Sequence, residues 1–314
     1  MTETKRVKFG VNLPNFGPGM DPRTLLGWAR TAEDLGYDLL LVSDHLALTP
    51  DAAARSPEPF YEALTSLAWL AGQTRRIELG TGVVIMPHRH PVQLARMTAT
   101  LDRLSGGRFV LGVGVGWARL GYQALGVPFG DRGRLTDEYL AAVRELWTRE
   151  RASFKGETVT FDRIHTAPRP RRDPHPPVWI GGNSLPALRR SVRYGDAWHP
   201  LWPRLGWLRE SAVPALRALA EQEERPLPAL CPRIQIAVSP VPLDEHRRPT
   251  GHGSLAQIRA DVAALVELGA QYVILDTDPG DQRLRQSAEE DWRILETLAE
   301  QVIRPLTGEG TTER

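Results

Sequence analysis

Asp44 and His45 directly follow the apolar run Leu39-Leu40-Leu41-Val42. A histidine titrates near neutral pH, so one placed where a buried strand ends can move a proton during hydride transfer or oxygen chemistry. The competing reading is a histidine that caps a helix or bonds a backbone carbonyl. Two glycine-bearing segments stand at comparable positions. Gly114-Val115-Gly116-Trp117 closes one apolar run with backbone N–H groups that could face a phosphate or a ring edge, and a tight turn accounts for it equally well. Gly181-Gly182-Asn183-Ser184 precedes a helix whose N-terminus favours an anion. His90, Trp117 and His199 read as substrate-pocket residues. His88, Arg89 and His90 have no Asp, Glu or Cys at ligand spacing and open a helix, so no metal is read from them.

These residues fall into place once the elements are laid out. Val7 to Leu13 reads as a first strand, followed by an amphipathic helix from Pro22 to Leu35 that Gly36 stops. Asp38 to Val42 is the second strand and Ile77 to Ile85 the third, an apolar run suited to burial on both faces. A helix from Pro91 to Leu104 leads through Ser105-Gly106-Gly107 to a fourth strand, Arg108 to Val113. A long helix near Asp131 to Trp147 precedes an interruption, Ala152 to Pro177, which holds a hairpin-like turn and the basic, proline-rich run around Arg169 to Arg172. This segment reads as an insertion over one barrel end, with His165 and His175 in solvent.

Strands five to eight are Val178 to Ile180, Ala197 to His199, Arg233 to Val238 and Tyr272 to Leu275. Their helices are one entered at Pro186, then Trp207 to Leu219, Ser254 to Leu268 and Asp291 to Ile303. Ser254 and Gln257 predict a capping box.

Eight strand-then-helix units in this order predict a (β/α)8 TIM barrel with insertions, in one domain over residues 1–306 with the insertion at about 152–177 and a flexible polar tail over 307–314. A doubly wound sheet is disfavoured, because no dinucleotide fingerprint follows the first strand. The active site of a barrel lies at the C-terminal ends of its strands. That rule selects Asn12 and Asn15, Asp44 and His45, the region from Gly82 to His90, Gly114 to Trp117, Gly181 to Ser184, His199, and Asp276 to Asp278. Trp117, Trp198 and Trp202 stand near strand ends and could wall an aromatic pocket.

The chain has 39 basic and 38 acidic residues among 314, a formal net charge of +1. That balance gives no electrostatic case for nucleic acid or an anionic membrane surface. Cys231 is the single cysteine, read as a buried structural thiol, and the N-terminus carries no apolar signal core, so a cytoplasmic location is expected.

The segments FGVNLPN, SDH, LGTGVVIMPHRHPVQLA, LSGGRFVLGVGVGW, ALGVPFGDRGRLTDEYLAAVRELW and PVWIGGNSLPALRRSVRYGDAWHP together resemble the luciferase-like monooxygenase superfamily, most closely its group of coenzyme F420-dependent oxidoreductases. The resemblance spans roughly residues 7 to 300. It implies a deazaflavin or flavin at the C-terminal face and two-electron hydride transfer at its central ring. It implies that Asp44 and His45 lie beside that ring with His45 as proton donor or acceptor. It implies a cis peptide at Gly82-Val83 backing the ring, and a cofactor cradle from Gly114, Val115, Gly116, Gly181 and Gly182, to which the strand-end position adds Asn12 and the helix N-terminus adds Asn183 and Ser184. Relatives usually present acidic residues after Gly116-Trp117. Here Ala118-Arg119-Leu120-Gly121 stands in their place, which leaves His45 without an obvious titrating partner.

The function expected is hydride transfer between coenzyme F420 and a small organic substrate, with the Arg169–Arg172 run meeting the cofactor's acidic tail. The alternatives are an FMN-dependent monooxygenase of the same fold and a non-catalytic flavin-binding protein. A small-molecule substrate is the expected partner, with no nucleic acid and no membrane. Homodimerisation is common in the family, although no interface is legible in the sequence.

Overall fold

The computed structural model describes residues 6–307. Its centre is a curled parallel sheet. The principal strands are β1 (Lys8–Leu13), β2 (Leu39–Val42), β3 (Glu78–Thr81), β4 (Phe109–Gly114), β5 (Val178–Gly181), β6 (Ala197–His199), β7 (Arg233–Gln235) and β8 (Tyr272–Asp276). Read from one edge, the order is Ala229–Leu230, β6, β5, β4, β3, β2, β1, β8, β7. Two isolated parallel bridges, Leu201 to Arg233 and Leu230 to Ala270, run between the edges of this order. Backbone bonds accompany them, from Arg233 N–H to Pro200 O at 3.0 Å and from Gln271 N–H to Leu230 O at 2.9 Å.

The parallel arrangement requires crossover helices, and the sequence supplies amphipathic ones. They are α1 (Pro22–Asp34), α2 (Ala63–Ala71), α3 (Pro91–Leu104), α4 (Arg132–Thr148), α5 (Leu185–Tyr194), α6 (Val213–Gln222), α7 (Leu255–Glu267) and α8 (Ala288–Leu298). Strand β2 shows why unbroken apolar runs were needed. Leu39 and Leu41 join Val110, Trp179 and Ile274 on the concave face, while Leu40 and Val42 join the cluster beneath the helices. Both faces are dry. Ser254 and Gln257 form the expected capping box on α7, and Pro186 lies in the first turn of α5. No helix among the described residues is long and apolar enough to cross a membrane.

Several expectations need correcting. The third strand does not run unbroken to Ile85: after Thr81 it is interrupted by a cis Gly82-Val83 link, and Val84–Ile85 then pairs with Val113 and Gly114 of β4. The seventh strand ends at Gln235, and Ala237–Val238 pairs instead with His252–Gly253. The last helical stretch reaches Thr307, and the rest of the proposed flexible tail lies outside the described residues.

The insertion forms an antiparallel hairpin, Arg151–Lys155 with Thr160–His165. It lies along the outside. Glu138 of α4 accepts the N–H groups of Thr158 and Val159, and Arg96 of α3 donates to the carbonyls of His165 and Thr166. The basic run then packs beneath the C-terminal end of α3, where Asp102 accepts the N–H groups of Arg171 and Arg172 at 2.6 and 2.9 Å. Arg172 also bonds Glu78, the first residue of β3. These arginines therefore sit at the N-terminal ends of the strands, opposite the face where a cofactor was expected. The Arg172 guanidinium is paired with Glu78 within the fold, and Asp102 holds the backbone of Arg171 and Arg172. His175 is buried against Trp147 rather than solvated.

Candidate active site

The C-terminal ends of the strands enclose a cavity of about 800 Å3. His45, at the end of β2, opens into it beside Gly82 and Val83. Gly114 to Trp117 enter from β4, Gly181 and Gly182 from β5, His199 from β6, and Arg233 and Gln235 from β7. The parallel sheet thus gathers residues that are far apart in sequence. Of the predicted substrate residues, Trp117 and His199 line this cavity.

His90 does not. It caps the N-terminus of α3, its Nδ1 accepting from Val92 N–H at 3.3 Å, and it faces an outer groove shared with Arg96, Phe161 and Ile164. Asn12 and Asn15 lie beneath the wall rather than in it. Asn12 donates to Asp276 at 3.2 Å, and Asn15 ties Ser43 to the carbonyl of Tyr61. Asn183 is engaged with Leu201 through both backbone groups, and Ser184 caps α5. Their side chains are committed to the loop and the helix, so the cradle reading narrows to the backbone at Gly181 and Gly182.

The glycines have a cause the sequence did not disclose. A Cβ on Gly114 would stand 2.5 Å from Cγ2 of Val83, and one on Gly181 would stand 2.9 Å from its Cγ1. Both glycines make room for the Val83 side chain, which projects between β4 and β5. Gly116 and Gly182 are different, with φ of +68° and +118°, a conformation that side chains rarely adopt. Trp198 braces Gly182 from beneath by donating its Nε1–H to the Gly182 carbonyl at 2.8 Å. It is a support, whereas Trp117 and Trp202 reach the cavity.

Asp44 does not act as a free carboxylate. Arg89 grips it with two bonds of 2.7 and 2.8 Å, and Ile85 N–H donates to it at 3.0 Å. Arg89 also bonds Glu62 at 2.6 Å. Burial opposes the charge on Arg89, but these two carboxylates outweigh it and raise its pKa. The pair anchors the loop that carries His45. Nothing in the sequence marked Arg89 for this part except its place in the His88-Arg89-His90 trio.

His45 meets the edges of two aromatic rings, Phe60 at 5.5 Å and Trp117 at 5.8 Å between centroids. Burial lowers its pKa below the ordinary 6.5, against the pull of Asp44 and Asp51. His199 is fully enclosed, and burial lowers its pKa to about 4. A neutral ring with the proton on Nδ1 donates to the Cys231 carbonyl at 2.6 Å and leaves the Nε2 lone pair available. Both histidines are neutral at pH 7.

Arg233 lines the cavity, and sequence reasoning placed it only as the start of a strand. Its Nε donates to Asp276 at 2.8 Å and its guanidinium reaches the Gly82 carbonyl at 2.9 Å. It therefore pins the interrupted strand from across the cavity. Asp276 also accepts from Trp202 Nε1–H at 3.0 Å. A charged residue between Pro232 and Ile234, opening a strand with no other charge, was the signal available.

The cavity volume lies within the roughly 300–1,000 Å3 usual for small-molecule sites. Its wall combines an aliphatic face at Val83, aromatic rings and backbone at Gly116 and Gly182 that a Cβ would distort, a composition that fits a planar ring with a phosphorylated side chain.

Residues 7–242 match the family model described as luciferase-like monooxygenase, and the chain belongs to that family. An uncharacterised protein of Mycobacterium tuberculosis is 36% identical over 207 residues, covering 60% of this chain and 71% of its own. An F420-dependent glucose-6-phosphate dehydrogenase of Kineococcus radiotolerans is 27% identical over 296 residues, covering 87% and 84%. A 4-hydroxyprotoasukamycin monooxygenase of Streptomyces nodosus subsp. asukaensis is 34% identical over 203 residues, covering 62% and 52%. Among solved structures, the monooxygenase RslO1 of Streptomyces bottropensis superposes with TM-score 0.76 at 21% identity, covering 95% of this chain and 99% of that one. An F420-dependent secondary alcohol dehydrogenase superposes with TM-score 0.76 at 16% identity over the same shares. The structural likenesses establish the fold: an α/β architecture with a curled parallel sheet. The family is one of oxidoreductases and monooxygenases, with F420-using and flavin-using members among its relatives.

Proposed function

We propose that the chain closes into a (β/α)8 barrel and transfers a hydride between coenzyme F420 and a small organic substrate. The bridges between the sheet edges support closure. The observation that carries the function is the strand-end cavity, where Val83 forms an aliphatic wall and neutral His45 and His199 face the same space. The F420-dependent relative, aligned over 87% of the chain against 62% for the monooxygenase relative, supports deazaflavin over flavin. The higher identity of the monooxygenase relative favours FMN as the second reading.

The bound deazaflavin would supply the two-electron hydride acceptor or donor. The chain's part is to hold, orient and manage the proton. Val83, fixed by Arg233 at the preceding carbonyl, would set the depth of the ring, and backbone at Gly181 and Gly182 would hold the phosphate. Trp117 and Phe60 shield His45 from water on two sides. A neutral His45 is ready to accept the proton from a substrate hydroxyl as its carbon gives up a hydride, and to return it in the reverse direction. The lone pair on His199 Nε2 offers a second acceptor. The test is to mix the protein with oxidised F420 and a panel of small alcohols while following deazaflavin absorbance. Loss of absorbance with a substrate supports the proposal, whereas oxygen-dependent product formation with reduced FMN alone overturns it.

A further inference from the structure

Resting on the reading above, we propose that Arg55 makes this an enzyme for anionic substrates, its guanidinium receiving a carboxylate or phosphate at the cavity mouth. The arginines elsewhere in the site are already spoken for: Arg89 by Asp44 and Glu62, and Arg233 by Asp276. Arg55 is not. It lines the cavity, and among the described residues no carboxylate lies within ion-pair distance of it and no acceptor takes a bond from its side chain. Its one side-chain partner is the Trp117 ring, with the guanidinium carbon 4.6 Å from the ring centroid.

That geometry leaves the donors available. Stacking uses the flat face of a guanidinium and its charge, while all five N–H groups point outward in its plane. A planar, bidentate acceptor is the partner this fork suits. The stack also fixes where the anion would sit. Trp117 meets His45 edge-on, so Arg55 is one aromatic ring away from the group assigned to the proton. Arg55 and His45 both lie on the segment following β2, whereas the backbone at Gly181 and Gly182 that is assigned to the cofactor phosphate lies at the end of β5, three strands along the sheet. The guanidinium is thus placed for the substrate and not for the cofactor's phosphate. Asp278 and Asp281, which follow β8, line the same cavity and repel an anion from that part of it. A substrate would enter with its charged end toward Arg55 and its reacting carbon toward His45.

Calorimetric titration with benzoate, its neutral counterpart benzyl alcohol, and inorganic phosphate tests this, with and without saturating F420. Wild type should bind benzoate or phosphate at least about tenfold more tightly than benzyl alcohol binds, the loss expected when a charged hydrogen bond is absent. Arg55→Gln should abolish that preference, Arg55→Lys should restore part of it, and F420 affinity should be the same in all three proteins. Equal binding of benzoate and benzyl alcohol to wild type, or an anion preference unchanged in Arg55→Gln, overturns the proposal. F420 affinity that falls in Arg55→Gln also overturns it, by showing that the guanidinium serves the cofactor's own acidic groups. Anion binding that depends on Arg55 in a protein with no affinity for F420 would uphold the anion site while removing the cofactor assignment.

Discussion

Replacing Gly114 with alanine should perturb the site through Val83, and the size of the effect follows from the geometry. The new Cβ would meet Val83 Cγ2 at 2.5 Å, closer than carbon atoms approach without displacement. Overpacking of this kind costs about 1–3 kcal/mol. In a chain of this length each kcal/mol lowers Tm by roughly 2 °C, so a fall of about 2–6 °C is expected. Val83 would be pushed into the strand-end cavity proposed to hold the cofactor ring, so cofactor affinity should drop as well. The partner substitution Val83→Ala removes both Cγ atoms. Combined with Gly114→Ala it should recover part of the lost stability, with a coupling on the order of 1–2 kcal/mol. Gly112→Ala is the control: its Cβ would strike the Thr81 carbonyl, a backbone atom, and Val83→Ala should not rescue it. Denaturant melts of the four proteins in the Gly114 cycle decide the matter. Strict additivity would refute the reasoning, because it would mean that Val83 is not what the glycine accommodates.

His45→Ala should keep fold and cofactor affinity while turnover falls about 10²–10⁴-fold, measured by steady-state kinetics; normal turnover would make His45 incidental. Because His45 titrates below 6.5, the acid limb of the oxidation rate should lie below that value, and a limb above it would contradict the burial argument. His199 takes up its proton near pH 4 when folded but near 6.5 when unfolded. Its contribution is therefore complete above 6.5 and lost as pH falls toward 4, a loss of roughly 3 kcal/mol. His199→Gln should narrow the difference between melts at pH 7.5 and 4.5, and an unchanged difference would remove His199 as its source. Arg89→Met leaves Asp44 buried without its partner and should destabilise by about 3–5 kcal/mol in urea melts; a variant within 1 kcal/mol of wild type would show the pair to be dispensable.

The strands were legible because burial on both faces leaves continuous apolar runs, and Leu39 to Val42 is the clearest of them. Helix ends were legible where a local rule operates, as at Ser254 and Gln257. The strand-end cavity was legible by position, since the strands of a curled parallel sheet gather their C-terminal ends on one face. Pairings across the fold were not. Asp44 and Arg89 are 45 positions apart, and neither reveals the other. Gly114 and Gly181 invited a cofactor explanation, although the volume they vacate belongs to Val83. The run from Arg169 to Arg172 shows the limit of composition: its charge was evident, but its place depends on how far the insertion descends along α3, which only packing against Asp102 fixes. The proposed contact with an acidic cofactor tail fails for that reason. His90 was misplaced similarly, since the residue before a helix can turn toward either side of it.

Equilibrium titration of the purified protein with coenzyme F420 and with FMN, read by cofactor fluorescence, tests the central claim most directly. The account predicts saturable F420 binding that is tighter than FMN binding and weakened in Gly114→Ala. Tight FMN binding with no measurable affinity for F420 would contradict it and make the chain a flavin-dependent member of its family.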